Sequence, residues 1–267
     1  MKIGVLANPE LRGLEDIGKE LLDAIGNQAD VQLDEDLAGA LGMTGRPLQD
    51  MDADVLVTIG GDGTILHTLQ RSDAPVVGIN AGRLGFLTEI QLDEMADKVG
   101  KLVSGDYYIE DRVKLKIKVN DKRLPDSTNE AVLHTYHVSK MRHFQVLVGG
   151  KPAMDIRADG IIISTPTGST SYAMSVGGPI IDPRLDAFVI AAIAPFNLGI
   201  RPLVVPASSD IEIRLRKKRK CVLVLDGQTE FEVEPDDVIK MERSEKLARF
   251  VRFEQEFYTK AWEKLRM

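Results

Sequence analysis

The chain has 267 residues, 43% of them hydrophobic and 28% charged, which is the composition of a globular protein with room for one large domain or two smaller ones. Its net charge of −7 argues against nucleic acid as a partner, because binding to a phosphate backbone needs a basic surface. The single cysteine, Cys221, cannot form an internal disulfide, and no apolar run approaches the ~18 residues of a membrane span. We therefore expect a cytoplasmic protein without a membrane partner.

Short apolar runs alternate with helical patterns over the first hundred residues. Three of these runs predict buried strands: Lys2–Ala7, Asp54–Ile59 and Pro75–Ile79. Apolar residues at helical spacing predict helices around Ile17–Ile25, Ile65–Leu69 and Leu92–Val103. Continuous apolar strands that alternate with helices are typical of a parallel sheet covered on both faces. The sequence therefore predicts a Rossmann-like α/β N-terminal domain over residues 1–106.

Strand-like segments dominate from residue 107 onward, and turn residues separate them. These segments are Lys114–Val119, Phe144–Val148, Gly160–Ser164, Phe188–Ile193, Ile211–Leu215, Val222–Leu225 and Phe231–Val233. They predict a mostly-β sandwich as the C-terminal domain, over residues 107–246. Residues 247–267 read as a last strand and a helix, which we expect to pack back on the first domain.

A basic run, Arg214–Lys220, raises the alternative of a nucleic-acid patch. The acidic total favours a solvated hairpin turn between the strands Ile211–Leu215 and Val222–Leu225 instead. The four histidines show no metal-ligand spacing, so we predict no metal site made of protein ligands alone.

The sequence Gly60-Gly61-Asp62-Gly63-Thr64 follows a predicted strand and precedes a predicted helix. Glycines let the backbone approach a ligand closely, and the free N–H groups of a helix start bind anions. A carboxylate in such a turn can accept a proton from a hydroxyl nucleophile or help to position a metal–phosphate group. The alternative is an ordinary flexible connection. By itself, the turn indicates phosphate binding more clearly than it indicates a kinase.

A second motif, Thr165–Tyr172 (TPTGSTSY), follows the predicted strand Gly160–Ser164. Its hydroxyl groups and glycine offer many hydrogen-bond donors suited to ribose or phosphate oxygens, and Tyr172 adds a flat face for a base. The alternative is a turn whose hydroxyls only bond their own backbone. Asn129-Glu130 and Arg157–Gly160 add an amide and further charges, if the fold brings them together.

These motifs, together with Asn80–Leu87 (NAGRLGFL), resemble in kind and order the signature motifs of the NAD kinase family. The resemblance runs from Met1 to about Arg243. The GGDGT turn is shared with lipid kinases and, loosely, with phosphofructokinases, whereas the TPTGSTSY stretch is far more specific. The resemblance implies an α/β domain, a β-sandwich domain and an active site between them.

The resemblance also implies roles for individual residues. Asp62 matches the family's catalytic aspartate, the base for the adenosine ribose 2′-hydroxyl of NAD. The implied substrate-binding residues are Gly61, Gly63, Thr64, His67, Asn129, Glu130, Lys140, Arg157, Asp159, Thr170, Ser171, Tyr172, Ala173, Met174, Ser175 and Gln228. Ser171 and the pair Ala173-Met174 depart from the family's usual Ala and Ser-Leu.

The function implied is transfer of a phosphoryl group from ATP, or from polyphosphate, to NAD, giving NADP. We expect Mg²⁺ as the divalent cation and a homodimer or homotetramer, because sites in this family are often completed by a neighbouring subunit. Two alternatives stay open: a lipid or sphingoid kinase that uses the same glycine turn, and a non-catalytic dinucleotide sensor.

Overall fold

The structure is a computed structural model that describes residues 1–82, 85–137, 140–216, 219–255 and 257–265. The strands are β1 (Lys2–Ala7), β2 (Asp30–Leu33), β3 (Val55–Gly60), β4 (Val76–Asn80), β5 (Ile90–Gln91), β6 (Tyr108–Val119), β7 (Lys122–Arg123), β8 (Glu130–Thr135), β9 (Arg142–Val148), β10 (Lys151–Ala158), β11 (Gly160–Ser164), β12 (Ala187–Ile193), β13 (Leu203–Pro206), β14 (Ile211–Leu215), β15 (Cys221–Leu225), β16 (Thr229–Val233) and β17 (Val238–Arg252). The α-helices are α1 (Leu14–Ile25), α2 (Glu35–Leu41), α3 (Asp62–Arg71), α4 (Met95–Ser104), α5 (Tyr172–Ser175) and α6 (Phe257–Leu265). Three short 3₁₀ turns cover Leu48–Asp50, Leu92–Glu94 and Thr167–Thr170.

The chain divides into two compact units. The first, unit 1, comprises Met1–Asp111 and Ala248–Met267, and the second, unit 2, comprises Arg112–Leu247. The chain passes from one unit to the other within β6 and within β17. The boundaries expected from the sequence, after residues 106 and 246, lie a few residues before those between the two units. The separate roles assigned to the two parts stay predictions.

Unit 1 contains a parallel sheet in the order β2-β1-β3-β4, and both β5 and the end of β17 pair with β4. Side chains of β3 alternate between two cores. Val57 and Ile59 pack in the core that contains α1 and α4, whereas Leu56 packs with Ile65 and Leu69 of α3. Burial on both faces explains the continuous apolar strands. The predicted α/β domain with parallel strands is therefore confirmed.

The sequence analysis missed β2 and α2 in this unit. β2 is four residues long, and three of them are partly or fully exposed, so its apolar pattern is weak. The helix α2 begins after Asp34, whose side chain caps it by accepting the N–H of Leu37 at 2.8 Å.

Unit 2 is a sandwich of two antiparallel sheets. One sheet has the order β13-β12-β11-β8-β15-β16, and the other contains β10-β9-β14-β17 with β6 and β7 beyond β17. One core cluster joins them, with Phe144 of β9 and Ile213 of β14 from one sheet, and Leu133 of β8 and Phe188 of β12 from the other. The predicted mostly-β C-terminal domain is confirmed.

The hairpin predicted across the basic run Arg214–Lys220 is wrong. Strand β14 pairs with β9 and β17, whereas β15 pairs with β8 and β16, so the connection crosses from one sheet of the sandwich to the other. The two strands are adjacent in sequence and both contain apolar residues. These properties do not indicate the sheet to which each strand belongs. Lys217 and Lys218 lie outside the described residues. Lys220 pairs with Glu232 at 3.1 Å and Glu234 at 2.6 Å, which reduces the basic character of the run.

Within the described part of the chain, no helix is both long enough and apolar enough to span a lipid bilayer.

Candidate active site

The glycine turn connects β3 to α3, as the sequence predicts. A Cβ on Gly60 would lie 2.3 Å from Thr64 Oγ1 and 3.1 Å from Thr64 Cβ, so a larger residue would force the side chain of Thr64 to move. Gly61 is the extended residue before the helix, and the N–H of Thr64 donates to its carbonyl at 3.1 Å. Asp62 is the first residue of α3, where the free N–H groups of a helix start favour anions.

Three backbone N–H groups hold the carboxylate of Asp62. Oδ2 accepts from Phe86 at 2.8 Å, and Oδ1 accepts from Leu87 at 3.0 Å and from Thr88 at 3.3 Å. A Cβ on Gly85 would lie only 1.9 Å from Asp62 Oδ1, so the loop and the carboxylate are in direct contact. The half-buried carboxylate is therefore held in one orientation, and no side-chain cation among the residues that the structure describes donates a hydrogen bond to it.

The remaining predicted residues of this unit lie on the turn and the same helix. Gly63 is exposed, Thr64 is half-buried, and His67 is exposed one turn further along α3. Arg83 and Leu84 of the Asn80–Leu87 motif lie outside the described residues.

In unit 2, Asp226 organises the Asn129-Glu130 pair. Its buried carboxylate accepts the N–H groups of Thr128 at 2.8 Å, Asn129 at 2.8 Å and Glu130 at 3.0 Å. Asp226 has a positive φ of 51° in the turn between β15 and β16. Gln228, a predicted binding residue, is exposed in this same turn.

Glu130 is a buried carboxyl group beside Thr165–Tyr172, the hydroxyl-rich loop. Ser171 Oγ donates to its Oε1 at 3.2 Å. Burial, reinforced by the charge of Asp226, raises the pKa of Glu130 to about 8, although the bond from Ser171 lowers it. Glu130 Oε2, Asn129 Oδ1, Thr128 Oγ1 and Thr167 Oγ1 are buried without a hydrogen-bond partner among the described residues. Buried polar atoms without partners are typical of a site that binds a polar ligand.

The hydroxyl-rich loop packs directly on the Asn129-Glu130 pair. The N–H of Thr165 donates to the carbonyl of Asn129 at 2.8 Å, and a Cβ on Gly168 would lie 2.2 Å from that carbonyl. The predicted binding residues of this loop differ in accessibility. Thr170, Ser171 and Met174 are half-buried, Tyr172 and Ser175 are exposed, and Ala173 is in an apolar core.

Three predicted residues lie elsewhere in unit 2. The backbone carbonyl of Asp159 accepts the N–H of Thr135. Thr135 is at the end of β8 opposite to Glu130, five residues or roughly 17 Å along the strand. Arg157 is exposed, with its guanidinium 5.3 Å from the ring centroid of Phe196. Lys140 lines a cavity of about 460 Å³, with Tyr136, His137, Arg142, Arg219, Lys220 and Glu232 as the other lining residues. The structure thus divides the predicted residues of unit 2 into two groups.

The sequence motifs did not single out Gly85, which lets the loop approach Asp62 closely, or Asp226, which accepts the N–H groups of residues 128–130. Gly85 belongs to the Asn80–Leu87 motif but carries no side chain to attract notice. The Asp226-Gly227 dipeptide signals a turn. Its contact with residues almost a hundred positions earlier has no local signal.

A fixed carboxylate at a glycine turn, and a buried polar cluster beside a hydroxyl-rich loop, are the features of a protein that binds phosphates and nucleotides and can move a proton. The fold and these features therefore define a nucleotide-dependent phosphotransferase as the class.

Comparison with known proteins specifies the class. The family model of the ATP-NAD kinase N-terminal domain matches residues 17–107, and that of the C-terminal domain matches residues 128–253. NAD kinase of Thermoplasma acidophilum is 38% identical over 99% of this chain and 98% of its own. The chain belongs to the NAD kinase family.

Two solved structures are similar to this one. A crystal structure of an NAD kinase from Archaeoglobus fulgidus in complex with ATP has a TM-score of 0.83 and 30% identity, and the match covers 100% of this chain and 99% of that one. A crystal structure of yeast NADH kinase complexed with NADH has a TM-score of 0.92, and the match covers 99% of this chain and 87% of that one. Its sequence identity of 23% supports the fold alone. Family membership makes the protein an NAD kinase enzyme. The two alternative functions, a lipid or sphingoid kinase and a non-catalytic dinucleotide sensor, are therefore excluded.

Proposed function

We propose that the enzyme transfers the γ-phosphoryl group of ATP to the 2′-hydroxyl of the adenosine ribose of NAD, with Asp62 as the general base. The observation that carries the proposal is the carboxylate of Asp62, fixed by three N–H groups at the start of α3. ATP as donor is supported by the ATP complex of the A. fulgidus relative. Polyphosphate as a second donor stays a prediction.

The reaction needs one proton acceptor and a rigid arrangement. The 2′-oxygen forms a bond to the γ-phosphorus, the bond from that phosphorus to the bridging oxygen breaks, and its electron pair leaves with ADP. The proton of the hydroxyl passes to Asp62. Because three N–H groups already fix both carboxylate oxygens, no reorientation precedes proton transfer, and alignment supplies much of the rate.

A divalent cation, Mg²⁺, fits this chemistry. No cluster of three or more His, Cys, Asp or Glu side chains is found among the residues that the structure describes. Mg²⁺ bound together with phosphates keeps several waters and needs few protein ligands, so its binding does not require such a cluster. The cation, when bound, neutralises charge on the phosphate oxygens.

We propose that the predicted binding residues contact NAD. Gly61, Gly63, Thr64 and His67 lie on or after the glycine turn. In unit 2, Asn129, Glu130, Gln228 and residues 170–175 lie around the hydroxyl-rich loop, and the unpartnered Glu130 Oε2 and Asn129 Oδ1 are suited to ribose hydroxyls.

Lys140, Arg157 and Asp159 belong to the group at the far end of β8. The separation of Asp159 from Glu130 along β8 is the observation that favours a homodimer or homotetramer, in which this group contacts the NAD of a neighbouring copy. The cytoplasmic location also stays a prediction.

The test replaces Asp62 with asparagine, which keeps the side-chain size and removes the base. We expect kcat for NADP formation to fall by ~10²–10⁴-fold, while KM for NAD stays within about threefold, because the aspartate acts on the proton and not on the rest of the nucleotide. The control, Asp16→Asn, makes the same change at an exposed position on α1. An Asp62→Asn enzyme with near-normal kcat refutes Asp62 as the base.

A further inference from the structure

The C-terminal residues of unit 1 supply cations to the loop that holds Asp62. Arg252 Nη1 donates to the carbonyl of Leu87 at 3.0 Å and to Glu89 Oε2 at 2.8 Å. The carbonyl of Leu87 and the N–H of Thr88 belong to one peptide group, and that N–H donates to Asp62. Arg252 therefore polarises a peptide group that bonds the carboxylate.

Lys260 fixes helix α6 against the same loop. Its Nζ donates to the carbonyl of Thr88 at 3.1 Å and to Glu89 Oε2 at 2.9 Å. The side chain of Glu89 is 2% exposed, so this ion pair is shielded from water. Arg252 and Lys260 thus each bind a backbone carbonyl and a carboxylate. These contacts give both cations a structural role.

Lys264 lies on α6 four residues after Lys260, and therefore on the same face of the helix. Its Nζ is 4.2 Å from the ring centroid of Phe86, whose N–H holds Asp62 Oδ2. The side chain is half-buried, and no carboxylate within the described ranges forms an ion pair with it. The ring of Phe86 contacts the ammonium group of Lys264 through its π face, and this contact does not use the N–H donors of Lys264.

We propose that Lys264 is a further catalytic residue, whose ammonium group contacts the phosphoryl group transferred beside Asp62. This inference rests on the proposed function, because it places the phosphoryl group at Asp62. During transfer, negative charge spreads over the phosphoryl oxygens, and a cation held beside them stabilises that charge more than it stabilises the bound ground state.

The electrostatic surroundings of Lys264 are consistent with such a role. Burial lowers the pKa of Lys264 from its ordinary value of 10.5, the nearby Asp62 carboxylate raises it, and Lys260 lowers it further. Among the residues that the structure describes, Asp62 on α3 and Lys260 on α6 are the charged groups that act on it. As pH rises and Lys264 loses its proton, kcat should fall, and this alkaline fall should come at a lower pH than the ordinary pKa of 10.5 would give.

The experiment compares Lys264→Met, Lys264→Arg and a control, Lys19→Met, which removes the same charge at an exposed position on α1. Methionine keeps the length and packing of the side chain without its charge. We expect Lys264→Met to lower kcat by ~100-fold with KM for NAD little changed, since the loss of one transition-state donor has that size. Lys264→Arg should keep kcat within about tenfold of wild type and should shift the alkaline limb of its pH profile upward. Lys19→Met should match wild type.

The outcomes separate this inference from the proposed function. If Lys264→Met keeps kcat within twofold of wild type while Asp62→Asn is inactive, Lys264 is not catalytic and the role of Asp62 stands. If Lys264→Met and Lys264→Arg lose activity equally and both melt at lower temperature, Lys264 is only structural and the inference fails. An active Asp62→Asn enzyme overturns the proposed function itself.

Discussion

The contact between Gly85 and Asp62 gives the sharpest test of how the catalytic turn is held. In Gly85→Ala, the new Cβ would lie 1.9 Å from Asp62 Oδ1, 2.7 Å from its Cγ and 2.8 Å from Thr88 Oγ1. Ordinary contacts of a Cβ begin near 3.4 Å, so either the carboxylate or the loop must move by about 1.5 Å. The three N–H bonds to Asp62 cannot all survive that displacement.

The expected effect on catalysis is large, whereas the effect on folding is moderate. A misplacement of ~1 Å at a reacting group costs about 100-fold in rate, so we expect kcat to fall by at least ~100-fold. Stability should fall by no more than a few kcal/mol, because the half-exposed carboxylate can exchange lost N–H bonds for water.

The assay measures NADP formation from NAD and ATP, together with the melting temperature of each variant. Gly82→Ala is the matched control, because a Cβ at this position of the same loop would meet nothing within 4 Å. We expect that control to keep kcat within about threefold of wild type. A Gly85→Ala enzyme with wild-type kcat would mean that the position of Asp62 is not critical, and the reasoning from geometry would be refuted.

Two further predictions concern buried charge. Glu130 has a pKa of about 8 in the folded protein against its ordinary 4.5, so the folded state keeps a proton that the unfolded chain releases. Stability should therefore fall as pH rises from about 5 to 8, by up to a few kcal/mol, and Glu130→Gln should lack this fall in denaturant titrations. Arg252→Met leaves Lys260 as the partner cation of the buried Glu89 and removes a cation from the half-buried Glu110, which should cost ~3 kcal/mol in the same titrations.

Both predictions have a clear contrary result. Equal losses of stability between pH 5 and 8 in wild type and Glu130→Gln would show that Glu130 does not titrate in this range. For Arg252, the control is Arg214→Met, because Arg214 pairs with Glu212 at the surface and should contribute less than ~1 kcal/mol. Equal effects of the two arginine substitutions would contradict a buried ion-pair network.

Local sequence predicted several of the strands that are buried on both faces, although β8 was missed. The bounds of β1 and β11 agree with those predicted, and the connection from β3 through the glycine turn to α3 was also predicted. The reason is that a strand covered on both sides has to be apolar along its whole length, which leaves a pattern in consecutive residues. Strand β10 was missed, because its side chains alternate between buried and exposed and include a proline.

Contacts between residues that are far apart in the sequence leave no comparable pattern in consecutive residues. The basic run between β14 and β15 looked like a hairpin, since nothing in either strand shows with which sheet it pairs. Likewise, Asp226 binds the N–H of Asn129, 97 residues away, and Lys260 bonds the carbonyl of Thr88, 172 residues away.

The sequence by itself determined the family resemblance, the two fold classes and the identity of the carboxylate at the glycine turn, because motifs and burial patterns are properties of neighbouring residues. Only the tertiary structure decided how that carboxylate is held. The N–H groups that fix Asp62 belong to a loop 24 to 26 residues further along the chain, and the cations behind that loop come from the C-terminal residues. Such contacts form only when the sheet folds, because backbone donors and lysine side chains are too common in a sequence to indicate their partners.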